Sequence, residues 1–216
     1  DLLQELITDY DGTVLLVSHD RDFIDRIVDA VRLITDALVA NGIDKPRVGV
    51  AALNPHAGDG GNFGREEIDI IAPAVEKAKS LGLPADGPWP ADTIFLKAQA
   101  GELDAIVTMY HDQGHIPVKV YGFEQSIAVN LGLPLIRTSV DHGTAFDIAG
   151  QGTAQAESMA QAIKVAKSPD ISGSTVGIVP TKTSPVEPST VTNFYLSIKP
   201  WRRWMRPSGC IRRVPR

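Results

Sequence analysis

The sequence predicts an α/β fold with a mainly parallel sheet and flanking helices. Segments with a helical period alternate with short apolar runs along residues 1–167, the pattern of a chain that lays helices against a parallel sheet. Apolar side chains make up 43% of the 216 residues, which suits one or two cores of ordinary size. Histidines follow several of the apolar runs, at the carboxyl ends of strands, where α/β proteins place their ligand sites.

Taken in order, residues 2–9 are expected as a short helix and residues 13–18, around Val14-Leu-Leu-Val17, as a buried strand. Asp20 then caps a longer helix. Its Ile24, Ile27, Val28, Val31, Ile34 and Leu38 recur at one-face spacing, and Asn41-Gly42 stops it. Residues 47–53 read as a strand, followed by a glycine-rich loop to Arg65. Residues 66–81 form a helix with Glu66, Glu67 and Asp69 in its first turn, as the helix dipole favours. Strands are expected at 106–109, 128–131 and 135–138, and a last helix at 157–166. From Pro169 onward the chain holds seven of the 15 prolines and a Ser/Thr/Pro tract without period, so residues 168–216 are expected to be a disordered tail.

Charge and cysteine content narrow the function. The net charge is −5, which argues against a nucleic-acid binder that works by neutralising phosphates. Charge changes sign at one point: the tail carries eight basic residues against Asp170 and Glu187, and everything before it is acidic. The closing run Lys199-Pro-Trp-Arg-Arg-Trp-Met-Arg206 interleaves cations with aromatics, as a membrane-surface or nucleic-acid patch does, but a solvated tail is the better reading. A single cysteine, Cys210, excludes an internal disulfide framework and fits a reducing, cytoplasmic location. The longest aliphatic run is four residues, far short of the ~20 of a membrane span. Asp1 opens the chain in mid-element, so a fragment or chimera is expected.

The loop Asn54-Pro-His-Ala-Gly-Asp-Gly-Gly-Asn-Phe-Gly64 sits between a strand and a helix, yet Phe63 stands where the dinucleotide fingerprint needs glycine, and no phosphate-loop motif occurs. His56, His111 and His142 each follow a strand and could converge at one sheet edge. His111-Asp-Gln-Gly-His115 approximates the zincin spacing, which needs a helix. Gly114 and Pro117 argue against one there.

Five stretches in residues 31–167 resemble the C-terminal portion of the 4-hydroxythreonine-4-phosphate dehydrogenase family. They are Leu53-Asn-Pro-His-Ala-Gly-Asp-Gly-Gly61, Gly64-Arg-Glu-Glu-Ile-Asp69, Pro90-Ala-Asp-Thr93, Met109-Tyr-His-Asp-Gln-Gly-His-Ile-Pro-Val-Lys119 and Leu131-Gly-Leu-Pro-Leu-Ile-Arg-Thr-Ser-Val-Asp-His-Gly-Thr-Ala145. The resemblance implies part of an isocitrate and isopropylmalate dehydrogenase-like fold, a homodimer, and oxidation of a secondary alcohol by NAD or NADP at a divalent metal (Zn, Mn, Co or Mg), with possible decarboxylation. The substrate would be a small phosphorylated hydroxy acid, 4-phosphohydroxy-threonine or a related four-carbon sugar-acid phosphate. Two of the family's three metal histidines fall on His56 and His111, substrate-binding positions on Lys119 and Arg137, and a proton-transfer group on Asp112. His142-Gly-Thr-Ala-Phe-Asp147 resembles the cofactor loop of the wider superfamily, which places His142, Gly143, Thr144, Ala145 and Asp147 at NAD.

Two departures follow. The family's substrate-binding Asn falls on Ala128, and Asn130, two places on and so on the same strand face, is expected to substitute for it in part at the substrate. The family's N-terminal portion, with the third metal histidine, has no counterpart, so this chain is expected to be inactive by itself. Residues 1–30 instead resemble the switch-histidine segment of ABC-type ATPases through Asp11-Gly-Thr-Val-Leu-Leu-Val-Ser-His-Asp-Arg-Asp-Phe-Ile24, with His19 an orphan because no phosphate loop serves it. A chimeric, non-catalytic product with at most weak metal binding, and an ABC ATPase fragment, stand as the alternatives.

Overall fold

The computed structural model describes residues 21–124, 126–133 and 137–167, and the backbone strands at 174–178, 180–181, 193–194 and 199–200. The helix and strand expected before residue 21, His19, the Asp20 cap and Cys210 lie outside the described residues.

The expected long helix spans Arg21–Ala40 (α1) and buries Ile27, Val28, Val31, Ile34 and Leu38 on one face. It ends where the sequence says. Gly42 takes φ +87°, and Ile43 N–H returns to the Leu38 carbonyl, so the last turn closes on a left-handed glycine.

The strand Val48–Ala51 (β1) follows, then a turn over Pro55–Gly61, a π turn Glu67–Ile71 and the helix Ala72–Ser80 (α2). Next come Ala85–Trp89 (β2), the helix Ala91–Gln99 (α3) and Ala105–Val107 (β3). Beyond them lie His111–Gly122 (α4), Ile127–Asn130 (β4), Arg137–Val140 (β5), Glu157–Lys167 (α5) and Ser174–Ile178 (β6).

The main sheet runs β2-β1-β3-β6 in parallel, and Lys199–Pro200 adds an antiparallel edge to β6. Its strands alternate between two cores. Val48, Val50, Ala105 and Val107 face α1 and α2, whereas Ala51 and Ile106 face Ile94 and Ala98 of α3. Helices thus cover both faces, and that is why these strands read as short continuous apolar runs. Gly49 lies on the α3 side, where a Cβ would stand 2.6 Å from Leu103 Cδ1. Arg47 locks the lower ends of β1 and β3 by a bidentate pair with Asp104, at 2.9 and 3.0 Å.

Four expectations need correction. β2 and α3 are elements beyond those expected. Ala85-Asp-Gly-Pro-Trp89 lacks a strand's composition and is tolerated because β2 lies at the sheet's edge. Residues 66–81 are not a uniform helix but begin as a π turn. The stretch His111-Asp-Gln-Gly-His115 does open a helix, despite Gly114 and Pro117: Pro117 costs one backbone bond, while the buried Gln113 side chain pins the first turn from outside. Finally, Ser174–Ile178 is a sheet strand within the stretch expected to be disordered, its Thr-Val-Gly-Ile run pairing with β3. The Ser/Thr/Pro tract at 182–192 lies outside the described residues.

β4 and β5 form an antiparallel pair of their own, with α5 packed on it through Ala162 and the Thr138 hydroxyl, which donates to the Ala162 carbonyl at 3.0 Å. Among the described residues no helix is long and apolar enough to cross a membrane.

Candidate functional site

Three loops carry the residues singled out from sequence, and two of them leave the carboxyl ends of the neighbouring parallel strands β1 and β3. After β1 the backbone N–H groups of Leu53 and Asn54 donate to one oxygen of Glu67 at 2.8 and 2.7 Å, and the Asn54 amide donates to the other at 3.0 Å and to Glu66. Burial pushes the Glu67 carboxyl up, but the hydrogen bonds from Asn54 and Leu53 outweigh it, and the group lies below its ordinary value. The chain then turns through five successive left-handed residues, 56–60, of which His56, Ala57 and Asp59 are not glycine. Each such residue costs roughly 1 kcal/mol or more, so the turn needs outside support. His56 is exposed at its crest, with its ring centroid 6.0 Å from that of Phe63.

After β3, Gln113 joins the two loops. Its side-chain carbonyl accepts Met109 N–H at 2.8 Å and its amide donates to the Ala52 carbonyl at 2.7 Å, tying the start of α4 to the root of the His56 loop. His111 opens α4, with Nδ1 2.7 Å from the Asp112 carboxylate. One helical turn on, His115 stacks on His111 at 4.1 Å between centroids, and its Nδ1 stands 3.4 Å from Asp141, both side chains buried. Lys119 follows on the same helix, 6.0 Å from the centroid of Phe123.

The antiparallel pair brings Asn130 and Arg137 together. They are register partners, and the Arg137 guanidinium donates to the Asn130 side-chain oxygen. Ala128, two places back, is buried. Beyond β5, His142, Gly143, Thr144 and Ala145 line a cavity of about 650 Å³, together with Phe123 and Ser158. Asp147 does not line it; its backbone carbonyl accepts the Gln151 amide at 2.6 Å. Phe123 serves both regions, since its ring is also 6.4 Å from that of His142.

The metal donors that the resemblance names are the imidazoles of His56 and His111. Among the described residues no group of three or more His, Cys, Asp or Glu side chains converges on one point. Two imidazoles fit a divalent transition metal in kind, and a carboxylate on His111 Nδ1 is the outer partner that ligating histidines use. They fall short of the three protein ligands of a catalytic centre.

Sequence reasoning missed Glu67, Gln113, Phe123 and the His115–Asp141 pair. The acidic first turn reads as a dipole effect, and His115 stands out only through a zincin spacing that Gly114 and Pro117 oppose. No local signal reveals a buried acceptor whose partners lie 13 and 14 residues away.

The family described as "Pyridoxal phosphate biosynthetic protein PdxA" matches residues 23–166, so the match begins eight residues before the boundary drawn from sequence. The "Putative 4-hydroxythreonine-4-phosphate dehydrogenase 2" of Pseudomonas aeruginosa is 57% identical over 144 residues, 66% of this chain and 43% of its own length. A "Putative D-threonate 4-phosphate dehydrogenase" of Bradyrhizobium diazoefficiens is 53% identical over 154 residues, 66% of this chain and 45% of its own. The crystal structure of 4-hydroxythreonine-4-phosphate dehydrogenase from Klebsiella pneumoniae superposes with a TM-score of 0.59 at 47% identity, over 70% of this chain and 47% of that one. The chain spans less than half the length of the curated relatives it matches.

Proposed function

This chain belongs to the pyridoxal phosphate biosynthetic PdxA family, and from that premise we propose that it carries one part of the site of an NAD(P)- and metal-dependent dehydrogenase. The reaction would be oxidation of a secondary alcohol on a phosphorylated four-carbon hydroxy acid, in a homodimer, and this chain alone would not complete it. One observation carries the reading: Gln113 bridges the Ala52 carbonyl and Met109 N–H, so the loops bearing His56 and His111 are held side by side.

Each residue then has a task. Lys119 and Arg137 supply fixed cations for the phosphate or carboxylate of the substrate. Asn130 orients the Arg137 guanidinium by accepting from it. His56 and His111 would hold the metal, which supplies Lewis acidity at the substrate hydroxyl. Asp112 holds the His111 ring by its Nδ1 and is the candidate proton acceptor. The cavity beside His142, Gly143, Thr144 and Ala145 is where NAD or NADP, the hydride acceptor, would lie.

Relatives named for 4-hydroxythreonine 4-phosphate and for D-threonate 4-phosphate both match. Ala128, at the position of the family's substrate-binding Asn, is buried and removes one polar substrate contact, so the choice between the two substrates rests on the assay below. The ABC-type resemblance of residues 1–30 is no part of this function.

The test is steady-state absorbance at 340 nm with both phosphorylated substrates, NAD or NADP, and added Zn²⁺ or Mn²⁺. The expected result is no turnover by the chain alone. Turnover is expected from a fusion in which the amino-terminal portion of a relative precedes Val31, and His111→Ala removes it. Robust activity of the unfused chain, or a folded but inert fusion, overturns the proposal.

A further inference from the structure

We propose that Glu67 is a positioning residue for His56, holding the loop on both sides of the imidazole; this rests on the dehydrogenase reading for its purpose but not for its geometry. The carboxylate meets the loop before His56 and after it. Ahead of His56 it accepts three hydrogen bonds, from the Leu53 and Asn54 backbone N–H groups and the Asn54 side-chain amide, all at 3.0 Å or less. Behind His56 it packs on Gly58, where an added Cβ would stand 2.6 Å from Glu67 Oε2.

The turn's own bonds do not do this. Asn62 N–H to the Asp59 carbonyl and Phe63 N–H to the Gly58 carbonyl close the far end of the turn on itself. Neither reaches back to β1. His56 at φ 54° and Ala57 at φ 52° sit in the left-handed region, which L-residues leave unless their surroundings forbid it. With residues 53–54 and residue 58 held by one buried side chain, two fixed points flank His56 and leave the intervening backbone little room to relax. The π turn that begins at Glu67 belongs to the same device, because it sets the angle at which the carboxylate enters the loop. Glu66 plays a lesser part: it accepts from the Asn54 amide and packs at Gly64, beyond the left-handed residues, so it does not grip the turn at residue 58.

The chemistry asks for such a device. An exposed imidazole on a glycine-rich loop samples many orientations, and a ligand or substrate contact requires one of them. A carboxylate suits the task better than an amide, since both its oxygens accept, and here three donors converge on it.

The experiment uses the full chain and reads the loop directly. NMR gives the amide exchange of Leu53 and Asn54 and the backbone couplings of His56, Ala57 and Asp59, alongside the thermal midpoint. In Glu67→Gln, where an amide donor would meet the Asn54 amide, exchange at Leu53 and Asn54 should quicken at least tenfold. The couplings of His56 and Ala57 should move towards averaged values, with the far-ultraviolet spectrum unchanged. Glu67→Asp keeps the charge but shortens the reach and should give the same direction of change if Glu67→Gln does not fold. Glu66→Gln should change either readout less than threefold. Slow exchange and unaltered His56 couplings in the folded Glu67 variants overturn the proposal.

The same substitution in the fusion separates this inference from the functional reading. If the fusion turns over, Glu67→Gln should lower kcat at least tenfold with KM for the nucleotide within twofold, and an unchanged kcat overturns the positioning role. If the fusion is inert while the loop loosens as expected, the dehydrogenase reading fails and the role of Glu67 in holding His56 stands.

Discussion

The loops that carry His56 and His142 are built on opposite plans. The His56 loop is strained at its crest and held at its root by buried groups, Glu67 at 4% exposure and Gln113 at 7%. The His142 loop is exposed almost throughout from residue 142 to 157 and lines a cavity mostly with small residues. A loop that must present one imidazole spends hydrogen bonds on orientation. Under the proposed function the second loop would admit a planar, extended nucleotide, for which small residues leave room.

The two regions should differ most in what they contribute to stability. Ile34 is fully buried against the β1 side of the sheet, whereas Phe146 in the His142 loop is 83% exposed. Ile34→Ala should cost about 3–4 kcal/mol in urea unfolding, while Phe146→Ala should stay within about 0.5 kcal/mol. A cost of similar size at both positions would mean that the second loop is packed after all.

Gln113→Ala comes next, since it leaves the Met109 N–H and the Ala52 carbonyl without their side-chain partners. The expected loss is about 2–3 kcal/mol, against no measurable change for Gly143→Ala, where an added Cβ meets nothing within 4 Å. Equilibrium denaturation of the two variants checks both.

A smaller effect is expected in acid. The folded-state pKa of Glu67 lies below its ordinary value of 4.5. Its contribution is therefore complete well above that value and disappears as pH falls through the depressed pKa. The midpoint difference between the parent chain and Glu67→Gln should shrink on going from pH 6 to pH 3. A difference that grows in acid would show that the carboxyl is held in its neutral form. Smallest of all, Arg65→Gln should leave the midpoint unmoved, because its pair with Asp69 lies in solvent.

Much of the frame was legible in the sequence, and for a local reason. The helix Arg21–Ala40 announced itself by six apolar residues on one face and a glycine stop, and β1 and β3 by apolar runs. β2 escaped notice because an edge strand needs only its backbone, and Ser174–Ile178 because its β-branched run is embedded in proline-rich chain. The helix at His111 is hidden from the sequence, since Gly114 and Pro117 speak only for local propensity, while the pin on its first turn comes from Ala52, 61 residues away from Gln113.

By itself the sequence determined the α/β class, the alternation of helix and strand, and the residues that resemble a dehydrogenase site. Periodicity and motif spacing are properties of neighbours in the chain. Only the tertiary structure decided which of those residues are held and by what: Glu67 under the His56 loop, Gln113 between two strand ends, Asp141 beside His115, Asn130 against Arg137. Apart from the bond of Gln113 to Met109, four residues away, each of these contacts joins groups separated by between 7 and 61 residues. A buried polar group takes whatever partner folding delivers to it, and local spacing carries no record of that partner.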